Sequence, residues 1–206
     1  MKRIIFFHAC FWALTAFSCP STPAFSDNPI SPDLQSSIED LFQVLQDKDV
    51  ATFQDQYIHP TYGMYDVYRP GAMGVFRLMD SVSFSKEDSY TNLYPKLFCI
   101  DSADSLGKLE WHDPRYICDV STWEWEKEGY FVSDKPLRPS IPFMMIMREL
   151  DGDASYSEEE KRHANWILGC SYRVVFTKYD LSFFLTKIDG RWYVTLLDRI
   201  TSDCSA

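Results

Sequence analysis

The chain is short of positive charge, of glycine and of long apolar runs. Its 206 residues carry 20 Lys and Arg against 30 Asp and Glu, a formal charge of −10. A nucleic-acid surface needs a basic patch, so this balance argues against nucleic acid as a partner. Only 8 residues are glycine, and no collagen-like or low-complexity bias appears. There is no G-x-S-x-G, P-loop, Gly-rich nucleotide loop or H-E-x-x-H. No two cysteines form a C-x-x-C, which speaks against a zinc cluster or a thioredoxin-like site. No motif calls for a metal or a cofactor. What is present is apolar: 46% hydrophobic and 16% aromatic residues, too many for a disordered chain. The length fits one domain. The sequence does not name a reaction.

The N-terminus reads as a targeting signal. Met1-Lys2-Arg3 is a basic start, and Ile4 to Phe17 is uncharged and apolar over 14 residues. A bilayer span takes about 20, so the stretch fits a secretory signal of residues 1–26. Two cleavage points compete. Ala24-Phe25-Ser26 places small residues for ordinary signal peptidase before Asp27. Ala16-Phe17-Ser18-Cys19 resembles a lipobox, which would end the signal at residue 18 and lipidate Cys19. Pro20 to Pro32 would then be a tether. Either way no transmembrane helix is expected, and a single α+β domain, residues 27–206, is left. Residues 1–26 hold Lys2 and Arg3 and no acid, so the mature chain has a net charge of −12 over 180 residues. It keeps Cys99, Cys118, Cys170 and Cys204. Four cysteines in an exported chain read as disulfide material.

Ser31-Pro32-Asp33 opens a helix, with a Ser N-cap, a first-turn Pro and an early acid. Leu34, Ile38, Leu41, Phe42 and Leu45 make one helical stripe. Asp49 caps a second short helix carrying Val50, Phe53 and Tyr57, and Pro60 ends it. Strand-like residues follow from Tyr62 to Tyr68. Val75–Phe84 could be strand or helix, and residues 85–95 read as a polar loop. Glu110 to Glu126 reads as one or two strands, and residues 133–142 as Pro-rich and irregular. Asp151-Gly152-Asp153 hints at an EF-hand. Tyr156 and Arg162 stand where that loop needs Gly and Glu, so the motif fails. Ser157 to Glu160 is a capping box that starts a helix ending at Gly169.

The end of the chain carries most information. Asp189-Gly190 is a two-residue hairpin signal between Ser171–Lys187 and Arg191–Thr201. That turn sets Val194 opposite Leu185, Leu196 opposite Phe183, and Ile200 opposite Tyr179, an apolar face throughout. Upstream the apolar phase moves to Tyr172, Val174 and Phe176, which predicts a bulge or bend near Thr177–Asp180.

Leu41 to Val50, the Tyr57-Ile58-His59-Pro60 that follows, and Phe183-Phe184-Leu185 through Ile188-Asp189-Gly190-Arg191-Trp192-Tyr193-Val194 resemble the opening and closing of the NTF2-like superfamily. The resemblance covers the two ends of the mature chain. The middle, about residues 85–170, is longer than a minimal member and would contain insertions. It implies a curved antiparallel sheet wrapped around the N-terminal helices, a cone with a pocket inside. It implies no activity, because the fold hosts many.

Enzymes of that superfamily use inward Asp, His and Tyr, so inward polar groups are the candidates. Asp198 lies opposite Leu181 on the face of Val194, Leu196 and Ile200. A carboxylate there is either a functional group or one paired with Arg173 or Arg199. His59 is a pocket base or a helix-terminal His. Tyr62, Trp125 and Tyr179 are candidate pocket residues. His112 beside Asp113 reads as a turn, and Glu160-x-x-His163 as an exposed helix face. Trp123 and Trp125 share a strand face, which either packs into the core or offers an aromatic platform to a sugar.

Cys99 and Cys118 close a loop worth about 3 kcal/mol if bridged, and they are the expected disulfide. Cys204 falls opposite Val175, roughly 16 Å of strand from Cys170 at about 3.3 Å per residue. That is beyond disulfide reach, so those two are left open. The expected role is non-catalytic binding of a small ligand or an envelope protein, in or near the cone pocket, by an exported periplasmic or secreted chain. The alternatives are a cofactor-free lyase or isomerase using Asp198 with His59 or a pocket Tyr, and a lipid-anchored accessory subunit. A homodimer is left open.

Overall fold

The computed structural model describes residues 29–71, 73–80, 92–119 and 121–204. The signal segment, both cleavage points, Cys19 and most of the 85–95 loop lie outside these residues.

Helix α1 is Pro32–Gln46, and Ser31 Oγ accepts the Leu34 N–H at 3.4 Å as its N-cap. All five residues of the predicted stripe are buried. Each such side chain contributes about 1.5–3 kcal/mol on leaving water. Helix α2, Val50–Thr52, is capped by Asp49, which accepts the Thr52 N–H at 3.0 Å. It widens into a π turn, Phe53–Tyr57, and ends there. Ile58 is already extended, two residues ahead of Pro60. The residue before a proline disfavours helix, so the chain leaves the helix early.

The main sheet has seven strands. They are β1 Met64–Tyr68, β2 Val75–Met79, β3 Leu109–Trp111, β6 Tyr130–Ser133, β7 Ser171–Phe176, β8 Leu181–Ile188 and β9 Arg191–Asp198. Their order is β2-β1-β9-β8-β7-β6-β3. The β1–β9 and β3–β6 pairs are parallel and the rest antiparallel. The fold is α+β with a mostly antiparallel sheet. Asp189 (φ 49°) and Gly190 (φ 84°) form the predicted tight turn, with both central residues in the left-handed region.

Three local expectations change. Ser171–Lys187 is two strands, because a 3-10 turn at Thr177–Tyr179 and a left-handed Asp180 reverse the chain. The predicted bend is a full hairpin. The β8–β9 register also shifts between Phe184 and Leu185. Leu185 faces Val194 as expected, but beyond the shift Phe183 faces Leu197 and Ser182 faces Asp198. Thr195 is the extra residue, and its Oγ1 lies 2.6 Å from Thr186 Oγ1. A one-residue slip exchanges sheet faces, so Asp198 shares neither a face with Val194 nor a rung with Leu181.

The sheet is covered on both sides. The α1 face holds Leu34, Leu41, Val174, Phe183, Val194 and Leu197 in one core. The other face is covered by helices α4 (Ile141–Leu150) and α5 (Glu158–Cys170). There Ile141, Met144, Ala164 and Ile167 pack on Tyr65, Phe184 and Leu196. The middle of the chain thus supplies a second layer, not only insertions. A short helix α3, Tyr94–Leu97, lies at the edge of the first core. Two further strands, β4 Tyr116–Cys118 and β5 Trp123–Trp125, form a separate hairpin.

The disulfide expectation is corrected. Cys118 is bonded to Cys204 with Cα atoms 5.5 Å apart, and Cys99 is a free thiol. Strand β9 ends at Asp198, so the tail leaves the hairpin register and reaches the β4–β5 hairpin. Cys99 instead sits beside α3, its Sγ donating to the Lys96 carbonyl at 3.2 Å. Burial pushes that thiol up from its usual range. Oxidised cysteines fit an oxidising compartment. Among the described residues no helix is long and apolar enough to cross a membrane.

Candidate functional site

Alternation along the last three strands builds a polar floor. On β7, Tyr172 and Val174 face α1, so Arg173 faces the other way. On β8 the rung of Arg173 is Phe184, and Ser182 lies on the same face. The register shift on β9 brings Asp198 opposite Ser182. Without that shift, Asp198 would lie against the α1 core.

These groups saturate one another. Arg173 is 6% exposed. Its Nε donates to Ser182 Oγ at 3.2 Å, one terminal nitrogen to Asp113 Oδ1 at 2.8 Å, and the other to Asp198 Oδ2 at 3.4 Å. Asp198 Oδ1 accepts the N–H groups of Ile200 and Thr201 at 3.1 and 3.0 Å. Its Oδ2 accepts the hydroxyls of Thr201 and Ser182 at 2.6 and 3.0 Å. A carboxylate offers about four lone-pair sites, and this one is fully used. It organises the turn after β9 and holds Arg173. The predicted partner Arg173 is right, while Arg199 goes elsewhere. Arg199 and Arg77 clamp Asp66, which is fully buried.

Above this floor lies a cleft of about 780 Å³. Its cations are Arg69, Arg115, Lys135, Arg138 and Arg173. Its carboxylates are Asp113 and Asp203. Arg115 is paired with Glu126 at 3.1 Å, and an Arg69 terminal nitrogen donates to the Asp203 carbonyl at 2.9 Å. Arg138 is exposed, and Arg173 uses three of its five N–H donors. The Cys118–Cys204 bridge lies in the wall and ties the C-terminal tail to the β4–β5 hairpin.

Of the predicted site residues, the structure brings His59 and Tyr62 together and leaves Asp198 at the far end of β9. His59 follows the π turn, and its Nδ1 accepts the N–H groups of Thr61 and Tyr62 at 3.1 and 3.2 Å. Its proton therefore belongs on Nε2, and burial lowers its pKa, so the ring is neutral. It packs on Tyr193 at 4.8 Å. Asp198 is five residues further along β9, roughly 16 Å at about 3.3 Å per residue. Tyr62 stacks on His59. Trp125 is on β5, its Nε1 donating to Asp180 Oδ1 at 3.2 Å. The Tyr179 hydroxyl donates to Asp104 near the 3-10 turn. His112 lies 3.3 Å from Glu126 and packs on Phe131.

Two readings are corrected. His163 is not on an exposed helix face; it is 7% exposed between Tyr65, Tyr62 and Trp166. Its spacing to Ala164, Ile167 and Cys170 marks it as part of the buried stripe of α5. Trp123 is not in the core; it is 66% exposed.

Burial pushes His163 down to about 4, helped by His59 nearby. The unfolded chain takes up that proton near 6.5. Stability tied to the neutral ring is therefore complete above pH 6.5 and falls as pH drops toward 4. The loss is on the order of 3 kcal/mol. Urea unfolding at pH 7 and pH 4.5 should show this drop, and His163→Gln should remove most of the difference.

Sequence reasoning missed the cleft because its cations are scattered from residue 69 to residue 173. Their one visible signal was Arg173 alternating with apolar neighbours. No protein-family model matches this chain, and neither does any curated protein or solved structure.

Proposed function

We propose that the chain is an exported binding protein that holds a small anionic ligand in the cleft over Arg173, without turning it over. One observation carries this: in an acidic chain the lining of one cleft holds five cations against two carboxylates, with Arg138 exposed. Low-dielectric walls focus such a field and raise the local concentration of anions. A buried, pre-oriented guanidinium suits a carboxylate or phosphate. The saturated Asp198 and its distance from His59 count against the lyase or isomerase alternative.

The NTF2-like reading of the fold is supported by element order: two N-terminal helices, a strand beside β9, and a closing Asp-Gly hairpin. Export is supported by the basic and apolar start of the sequence and by the disulfide. A lipid on Cys19 is the anchored form of the same reading. Mass spectrometry of the mature N-terminus separates acylated Cys19 from free Asp27.

Calorimetric titration of the purified protein with citrate tests the binding. Saturable binding is expected, weakening about ten-fold between about 20 and 200 mM salt as screening shortens the field. Arg138→Glu should remove it while leaving the unfolding transition in place, because Arg138 is exposed. Citrate binding that ignores both salt and Arg138 would contradict the reading.

A further inference from the structure

Helix α4 is apolar on both sides. Ile141, Met144 and Met145 pack into the second core. Phe143, Ile146, Met147 and Leu150 recur at the i, i+3, i+4, i+7 spacing of a second stripe. Phe143, Ile146 and Leu150 are each more than half exposed. The helix has two charged residues, and neither interrupts that stripe. Glu149 turns to α5, where Lys161 Nζ lies at 3.0 Å. Arg148 is half-buried. A helix that is apolar all round belongs inside a protein, and among the described residues only one side of α4 is covered.

The stripe continues onto the connection between β1 and β2. Met73, more than half exposed, lines the same groove of about 650 Å³ as Phe143 and Met147. Together these five side chains expose on the order of 500 Å² of apolar surface, near the largest patch that a monomer ordinarily shows. Two such patches face to face, with their polar rims, reach the roughly 1,200 Å² at which specific protein interfaces begin.

Charge identifies the occupant. Asp151 and Asp153 stand exposed just past the C-terminus of α4. That is the negative end of the helix dipole, the unfavourable end for a carboxylate. The first turn of α4 holds no acid to match its positive end. Two copies of α4 laid antiparallel correct both. Each copy's acids then lie beside the other's helix N-terminus, and Phe143 of one copy meets Leu150 of the other. A membrane is a poorer occupant. Helices that lie on one carry Lys and Arg along their polar face, and the mature chain has a net charge of −12.

We propose that α4 is a homodimerisation surface, on which two copies of this chain pair across a two-fold axis with their α4 helices antiparallel and the Phe143–Leu150 stripe buried. Such an interface is self-complementary, as a two-fold requires. No residue of α4 lines the cleft over Arg173.

Sedimentation equilibrium of the mature chain, residues 27–206, tests this from about 1 to 200 μM. A monomer–dimer equilibrium is expected, with a dissociation constant of about 1–50 μM for an interface of this size. Ile146→Glu should weaken it at least about 100-fold, because the two-fold sets like charges together in the seam. Ile146→Lys should do the same, and an equimolar mixture of the two variants should regain dimer. Ile146 is exposed, so both variants should keep the wild-type unfolding midpoint. A wild-type chain that stays monomeric over this range overturns the proposal, as does a dimer that Ile146→Glu leaves intact. A mixture that stays monomeric overturns the two-fold pairing. A monomeric chain that floats with phosphatidylglycerol vesicles, and loses this on Ile146→Glu, assigns the face to a membrane instead.

Discussion

Arg173→Met is expected to lower the unfolding free energy by about 3–5 kcal/mol and to abolish citrate binding. Methionine keeps most of the apolar stem and loses the charge. Asp198 is then a buried carboxylate, 1% exposed, with hydroxyl and N–H donors but no cation. Leaving one half of a buried ion pair is what makes such variants costly. Asp113 loses the same partner. The double variant Arg173→Met with Asp198→Asn removes both charges, so urea unfolding should show part of the stability restored. Citrate binding should stay lost, because the floor cation is gone. Recovery of binding in the double variant would show that Arg173 acts only through folding.

The second large effect is expected from Cys118→Ser with Cys204→Ser. The bridge spans 86 residues, and a loop of that length is worth about 4–5 kcal/mol in chain entropy. The effect on the cleft is separate. A two-stranded hairpin alone is marginal in water, and β4–β5 is held by the bridge, by Trp125 on Asp180, and by Arg173 over Trp125. Without the bridge, Tyr116 and Arg115 no longer form a fixed wall. Citrate affinity should drop about ten-fold, the cost of re-ordering that wall on binding. Cys99→Ser should change neither quantity by more than about 0.5 kcal/mol, as its Sγ makes only weak bonds.

The helices and the closing hairpin were legible because local rules decide them. Ser31-Pro32, the α1 stripe, the Asp49 cap, the Ser157 capping box and Asp189-Gly190 each act within one turn of chain. The site was not legible, because two non-local events create it. One is the register shift at Thr195, which moves Asp198 to the face of Arg173 and Ser182. Nothing in Tyr193-Val194-Thr195-Leu196 announces an extra residue. The other is the departure of the tail after Asp198. Extending β9 to Thr201 kept Cys204 in the hairpin and led to the wrong cysteine pair. His163 was legible in principle, since it lies on the Ala164, Ile167, Cys170 stripe. The Glu160-x-x-His163 spacing drew attention to the opposite face. Trp123 and Trp125 share a face as expected. Alternation alone cannot say whether that face meets core or water.

The central claim is that Arg173 and Arg138 share one anion. The direct measurement is the side-chain Nε–Hε spectrum of arginine-labelled protein during a citrate titration. The account predicts that the Arg173 and Arg138 signals shift together and saturate at one dissociation constant, while Arg191 beside the Asp189-Gly190 turn stays in place. Equal shifts at Arg191, or no saturable shift at Arg173 and Arg138, would contradict it.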